Sequence, residues 1–141
     1  MGRLDVTGVF QHSQDSAYFG SGAASPVAEG FTGAVVLPPG ARSAIWNGGT
    51  VEAHYTYSPQ LFFIGRYETE RMQQQSLPGT LSNVGNADVW TAGYRFYPFM
   101  SSRAGFALHN EASTLRLRRV APDTGADVRN TSVLVGFDFA W

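Results

Sequence analysis

The sequence of 141 residues predicts an all-β, antiparallel protein. Apolar and polar residues alternate with period two in several segments, which is the pattern of strands with two different faces. No segment carries a helical period of comparable length. In addition, 16 Gly and 7 Pro are spread along the chain, where they favour turns and interrupt helices.

The first half contains three predicted strands. Arg3 to His12 keeps Leu4, Val6, Gly8 and Phe10 in phase, and residues 13–45 are predicted to be a long loop region that could hold short strands. From about 46 to 57, an apolar set ending in Tyr55 and Tyr57 alternates with polar residues. Ser58-Pro59-Gln60 supplies a turn into a strand over 61–71.

The second half contains three more. Residues 87–97 alternate through Trp90 and Tyr94, and Pro98 is expected to end that strand because proline cannot donate to a central ladder. Strands over 103–119 and about 130–141 follow. The connections at 72–86 and 120–129 are long and polar, and both are predicted to be extracellular loops.

Pairing across the two short turns tests these strands. A loop of 58–60 pairs Tyr57 with Leu61, Tyr55 with Phe63 and Glu52 with Arg66. A loop of 98–102 pairs Phe96 with Ala104, Tyr94 with Phe106 and Ala92 with Leu108. Both registers place apolar residues on one face and polar residues on the other, as cross-strand pairing requires.

Composition excludes several classes. Charged residues make up 15%, all ten basic residues are arginine, and the net charge is -1. No basic face for a nucleic-acid partner is indicated. There is no Cys and no apolar run long enough for a transmembrane helix, and Met1 to Val6 lacks an apolar core, so no signal peptide is predicted there. A cytosolic protein, a mature protein and a fragment of a larger one all remain open.

Short and long connections alternate, and aromatic residues lie near the short turns. This arrangement is typical of an up-and-down transmembrane β-barrel in a single domain, 1–141, which must close because an open edge in lipid leaves backbone groups unpaired. A soluble barrel with its apolar face inward would show the same alternation. The predicted membrane-interface aromatics are Tyr55, Tyr57, Phe63, Trp90, Tyr94, Phe96, Phe106, Phe137, Phe139 and Trp141.

The last residues, Leu134-Val135-Gly136-Phe137-Asp138-Phe139-Ala140-Trp141, resemble the C-terminal signal of Gram-negative outer-membrane β-barrel proteins. Gly136, Phe139 and Trp141 match the glycine and the two hydrophobic positions, whereas Leu134 stands where that family usually has a polar residue. Residues 55–62 and 93–98 are also similar to porin-type strands beside periplasmic turns. The resemblance implies a porin-like protein of the outer membrane, held in the lipid bilayer and inserted by the barrel-insertion machinery.

The resemblance extends to the C-terminal part of large outer-membrane channels, some of which are associated with multihaem cytochromes. A multihaem cytochrome or another barrel is therefore a candidate partner. Six strands fall below the roughly eight of the smallest barrels, which favours a C-terminal portion of a larger barrel. An eight-strand alternative places strands at 31–36 and 42–46, with turns at Pro38-Pro39-Gly40 and Asn47-Gly48-Gly49.

Charged and imidazole side chains share the polar parity, where they would line a water-filled lumen. A lining of mixed sign predicts passive diffusion of small polar solutes with weak charge selectivity. Alternatively, contacts such as Glu52 with Arg66 merely stiffen the wall of a non-conducting scaffold or of a soluble ligand-binding barrel. The predicted lumen-lining residues are Glu52, His54, Arg66, Glu68, Arg95, His109, Glu111 and Asp138.

Two further groups complete the prediction. His54, His109 and Glu111 have no additional partner at a spacing typical of catalysis or metal binding, so no catalytic residue, metal or cofactor is predicted and the protein is not expected to be an enzyme. Arg116 and Arg118 have outward parity. They are expected near the outer headgroups, where they contact lipopolysaccharide phosphates or form an exposed loop base, unless a bulge before them switches the face.

Overall fold

The computed structural model describes residues 2–15, 42–75, 85–101, 105–119 and 126–140, with backbone alone at Asp15 and Ala140. The predicted all-β, antiparallel, up-and-down architecture is confirmed. Six strands form one sheet in chain order, each paired with its sequence neighbour. They are β1 (Arg3–Asp15), β2 (Ala44–Ser58), β3 (Leu61–Gln74), β4 (Asn86–Met100), β5 (Gly105–Arg118) and β6 (Val128–Ala140).

The register of the β2–β3 hairpin agrees with the sequence prediction over most of its length. Tyr55 lies opposite Phe63 and Glu52 lies opposite Arg66. The prediction is wrong at the turn itself, where a bulge pairs Ser58 with Leu61 and leaves Tyr57 without a cross-strand partner. The bulge adds one residue to β2, which shortens the connection to two residues.

The predicted β4–β5 register is wrong by four residues. Phe96 lies opposite Leu108 rather than Ala104, which lies outside the described residues, and Tyr94 lies opposite Asn110. Pro98 does not end the strand, because β4 continues to Met100 through an irregularity between Phe96 and Phe99. A bulge tolerates a residue without an N–H donor, and a shift by an even number keeps every side chain on its predicted face.

The alternative turn at Asn47-Gly48-Gly49 is also wrong. These residues lie inside β2, where Asn47 pairs with His12 on one side and with Arg71 on the other. β1 and β2 also extend into the range predicted as a loop, since β1 ends at Asp15 and β2 begins at Ala44. The separate strand at 42–46 is wrong too, because β2 begins at Ala44 and runs without a break through this range. The remaining parts, 31–36 and 38–40, lie outside the described residues.

The observed strands also trim the predicted loops. β3 continues to Gln74, and β6 already begins at Val128. Among the residues that the structure describes, no helix has the length and apolar character needed to cross a membrane.

The sheet is open in the described residues. β1 pairs only with β2, and β6 pairs only with β5, so closure into a barrel is not observed. The sheet also lacks a hydrophobic core, because Ala44 and Ala107 are the only buried apolar residues in the described ranges. Large apolar side chains are instead exposed along the strands, with Val135 at 72% and Val133 at 70%.

Candidate functional site

The cross-strand register divides the sheet into two faces. All eight predicted lumen-lining residues fall on one of them, which we call the polar face. Glu52 lies opposite Arg66, Arg95 lies opposite His109, and the parity of each strand carries the assignment along its length. The predicted set therefore shares one surface, although its position in a lumen is a separate question.

The β2–β3 half of the polar face holds a connected ionic group. His54 Nε2 lies 2.7 Å from Glu52 Oε1, and Arg66 Nη1 donates to Glu52 Oε2 at 3.3 Å. Arg66 Nε also lies 3.2 Å from Glu68 Oε2. One arginine therefore joins two carboxylates, and the group carries both signs of charge.

A second ionic group crosses β4, β5 and β6. His109 Nε2 lies 2.7 Å from Glu111 Oε1, and both side chains are 18% exposed. Arg95 Nη2 lies 3.2 Å from His109 Nδ1 and 3.3 Å from Asp138 Oδ2. The two groups repeat one motif, a histidine beside a carboxylate two positions away on the same strand, with an arginine on the neighbouring strand.

A cavity of about 400 Å³ lies between these two groups. Three of its lining side chains, Phe62, Ile64 and Tyr97, are apolar or aromatic residues that the sequence analysis did not assign to the site. The rings of Phe62 and Tyr97 meet edge to face, with centroids 5.7 Å apart. The remaining lining residues are Glu52, His54, Arg95, His109 and Glu111.

Parity alone could have located these three residues, because each shares the face of Arg66 or Arg95. Charge alone does not mark them, because none of the three side chains is ionic. A second cavity of about 210 Å³ lies farther along the same face, beside Glu68 and Glu70.

The chemistry of the polar face is that of a hydrated surface with paired charges. Each histidine contacts a carboxylate, and each arginine contacts at least one. Within the described ranges, no three His, Asp or Glu side chains converge as metal ligands would. Such a surface offers hydrogen-bond donors and acceptors of both signs to small polar solutes.

The other face, called the apolar face, carries eight of the predicted interface aromatics. Phe106 and Phe139 are cross-strand partners whose ring centroids lie 5.0 Å apart. Tyr57 stands at the β2 bulge with 66% exposure, and Trp141 lies outside the described residues. The eight on the apolar face are Tyr55, Phe63, Trp90, Tyr94, Phe96, Phe106, Phe137 and Phe139.

The C-terminal signal is only partly described. Gly136 lies opposite His109 on the polar face, and Phe139 lies opposite Phe106 on the apolar face. This opposite placement follows from their odd separation along β6.

The apolar face ends in a charged cluster at the strand ends far from the short turns. Tyr67 stacks on Trp90 with centroids 4.2 Å apart, and the Tyr67 hydroxyl donates to Asp88 Oδ1 at 2.7 Å. Beyond them, Arg71 Nη2 and Arg118 Nη2 each lie 2.6 Å from an Asp88 oxygen. Burial of Asp88 opposes its ionisation, but hydrogen bonds from Tyr67 and Arg71 outweigh burial and lower the pKa of Asp88 to about 2.

The sequence analysis did not find this cluster. It placed Arg118 on the outward parity, and the structure agrees, since Arg118 shares a face with Asp88 and Trp90. The sequence does contain one indication of it. Thr69, Arg71 and Asp88 are polar residues at positions that alternate in phase with the apolar residues, just beyond Tyr67 and Trp90.

Comparisons with protein families, with curated proteins and with solved structures give no match for this chain.

Proposed function

We propose that the chain forms part of the wall of a transmembrane β-barrel in the outer membrane of a Gram-negative bacterium. Its polar face would line a porin-like channel for small polar solutes. The single observation that carries the proposal is the exposed apolar face. Soluble monomers rarely expose contiguous apolar patches larger than a few hundred Å², and this sheet has no second layer among its described residues to cover one.

The dimensions of the apolar face support a bilayer as the covering medium. Trp90 and Phe99 bound the apolar stretch of β4, and at about 3.3 Å per residue they lie about 30 Å apart along the strand. A strand tilt of about 40° reduces this to about 23 Å, close to the apolar band of about 25 Å in outer-membrane barrels. Charges resume beyond Trp90, at Asp88.

The polar face supports the channel assignment within this proposal. Its ionic groups and the cavity of about 400 Å³ between them lie on the face opposite the exposed apolar side chains. The proposal also requires partners for the outer edges of β1 and β6, because an unpaired edge in lipid is costly. Further strands of a larger barrel or other copies of the chain would provide them.

Site-directed spin labelling tests the orientation of the faces. The chain has no native Cys, so single variants S132C and V133C place a label on adjacent residues of opposite faces. In vesicles, we expect the label at 133 to collide more with dissolved oxygen and the label at 132 to collide more with a water-soluble nickel reagent. Equal accessibilities, or a monodisperse protein in buffer without detergent, would contradict a membrane barrel.

Conductance in planar bilayers tests the channel. We expect stepwise current, with weak preference between cations and anions, from the closed barrel that the chain forms with the further strands or copies that pair its edges. Correct labelling results without current would instead support the non-conducting scaffold, in which the ionic groups only stiffen the wall.

A further inference from the structure

Four arginines converge on the apolar face, just beyond the stacked Tyr67 and Trp90. Their cross-strand positions explain the convergence, since Arg116 on β5 lies directly opposite Arg129 on β6. A cavity of about 460 Å³ opens among them, with Trp90 in its wall. We call this group the arginine cluster, and its members are Arg71, Arg116, Arg118 and Arg129.

The arginine cluster has an excess of positive charge. Asp88 pairs with both Arg71 and Arg118, so its single negative charge offsets one of the two, and Asp127 lies 3.1 Å from Arg116. Arg129 has no ion pair with any described residue. Two carboxylates thus face four guanidinium groups.

Part of the excess positive charge lies between β5 and β6, at Arg129. Like charges directly opposite on neighbouring strands destabilise a sheet, and Arg116 and Arg129 stand in that relationship. Arg118, two positions from Arg116, has a buried Nε with no hydrogen-bond partner. An anion seated here would relieve the repulsion, and an anion with several oxygens could accept from more than one guanidinium group.

Phosphate is the anion that best fits this donor set. Guanidinium groups bind phosphate oxygens in a forked, two-bond geometry, and their charge persists at every relevant pH. The exposures of Arg116 and Asp127, 47% and 41%, leave their ion pair accessible to a competing anion. A negatively charged lipid headgroup supplies such oxygens on a membrane surface.

The depth of the arginine cluster favours a lipid over free phosphate. Tyr and Trp side chains concentrate at the headgroup level of membranes, and Tyr67 and Trp90 lie immediately below the arginines. A phosphate held by Arg116 and Arg129 would therefore stand at headgroup depth. The acyl chains of a lipid that carries this phosphate would extend over the apolar residues farther down the same face.

We propose that the arginine cluster binds the phosphate group of an anionic membrane lipid. This inference rests on the proposed function, because it needs the apolar face to lie in a bilayer. It adds a defined lipid-binding site to the outer surface of the wall.

Quenching of Trp90 by brominated lipids tests the proposal. The full chain carrying W46F and W141F is inserted into phosphatidylcholine vesicles that contain either brominated phosphatidic acid or the same fraction of brominated phosphatidylcholine. The phosphatidylcholine quenching reports insertion, and the ratio of the two reports enrichment of the anionic lipid at Trp90. We expect the ratio to show a clear enrichment of phosphatidic acid. We expect R116Q/R129Q to lower the apparent affinity for this lipid on the order of tenfold.

Controls separate the possible outcomes. R66Q removes an arginine from the polar face and should leave the enrichment unchanged. Insertion with a ratio near one, or an unchanged ratio in R116Q/R129Q, overturns the lipid site alone. Binding of inorganic phosphate that R116Q/R129Q abolishes, together with a lipid ratio near one, assigns the site to free phosphate and also overturns it. Failure of any brominated lipid to quench Trp90 contradicts the proposed function and the lipid site together.

Discussion

The Glu111 side chain lies across the Cα of Gly93, its cross-strand partner on β4. A Cβ at position 93 would come within 2.6 Å of Glu111 Cγ and 2.5 Å of the Asn110 carbonyl oxygen. The absence of a side chain at Gly93 therefore allows Glu111 to lie flat against the sheet. In that position its carboxylate reaches His109 at 2.7 Å.

We expect G93A to destabilise the protein by about 1–3 kcal/mol, because the added methyl group overpacks a contact that includes backbone. The free energy of unfolding in urea, followed by tryptophan emission in lipid vesicles, measures the effect. G65A is the matched control, since Gly65 is also in a strand interior and a Cβ there meets nothing within 4 Å. Equal effects of the two substitutions would contradict the packing argument.

The β2–β3 register shows why part of the fold was predictable. Alternation assigns Glu52 and Arg66 to one face, and a short turn leaves few registers that keep them together. The β4–β5 register is not predictable in this way, because a strand that ends at Pro98 implies a different pairing from one in which a bulge accommodates the proline. Parity carries no information about bulges, so the faces were predicted correctly while the pairing was not.

Protonation of Asp88 should weaken the protein at acid pH. Its pKa of about 2 in the folded protein is below the ordinary 3.8, so its stabilising effect is present above about pH 4 and is lost as the pH falls toward 2. We expect D88N to lack this pH dependence, with a difference of about 1–2 kcal/mol from the native chain at neutral pH. If the free energies of unfolding of D88N and the native chain fall by the same amount between pH 5 and pH 2, Asp88 is not the source of the pH dependence.

The Tyr67 hydroxyl contributes to the same cluster independently of its ring. Y67F keeps the stacking on Trp90 and removes only the hydrogen bond to Asp88, so we expect a loss of about 1–2 kcal/mol in the free energy of unfolding. Y94F is the control, because Tyr94 has no side-chain hydrogen bond with the described residues. If both variants lose the same amount, the loss does not come from the hydrogen bond.

This cluster also marks a limit of sequence reasoning. Arg71 and Asp88 lie on strands separated by a long connection, and neither residue alone distinguishes a loop base from a partly buried ion pair. The ion pairs depend on the β3–β4 and β4–β5 registers, which place Arg71, Asp88 and Arg118 together at one end of the apolar face.

Arg66 and Arg95 should govern the ion preference of the proposed channel. They are the only cations among the eight predicted lumen-lining residues when the histidines are neutral, whereas four of the eight are acidic. We expect R66Q/R95Q to raise the cation-to-anion permeability ratio several-fold, measured as a reversal potential across a salt gradient. R129Q changes the charge of the apolar face and should leave the ratio as it was; an equal shift in R129Q would remove the support for a polar lumen.

Two adjacent residues of β6 provide the sharpest test of the faces. Val135 lies opposite Asn110 on the apolar face, and Leu134 lies opposite Glu111 on the polar face. Both are exposed, at 72% and 57%, so an arginine at either position has room without a change in packing.

Position 135 should not tolerate that arginine in a bilayer. Arginine on the lipid side of a barrel costs about 2–4 kcal/mol at the bilayer midplane, whereas a lumen-facing arginine stays in water. We therefore expect V135R to lower the free energy of unfolding in phosphatidylcholine vesicles by about that amount and L134R to change it by less than about 1 kcal/mol. Similar values for the two variants, or a larger cost for L134R, would mean that the apolar face of this sheet does not face lipid.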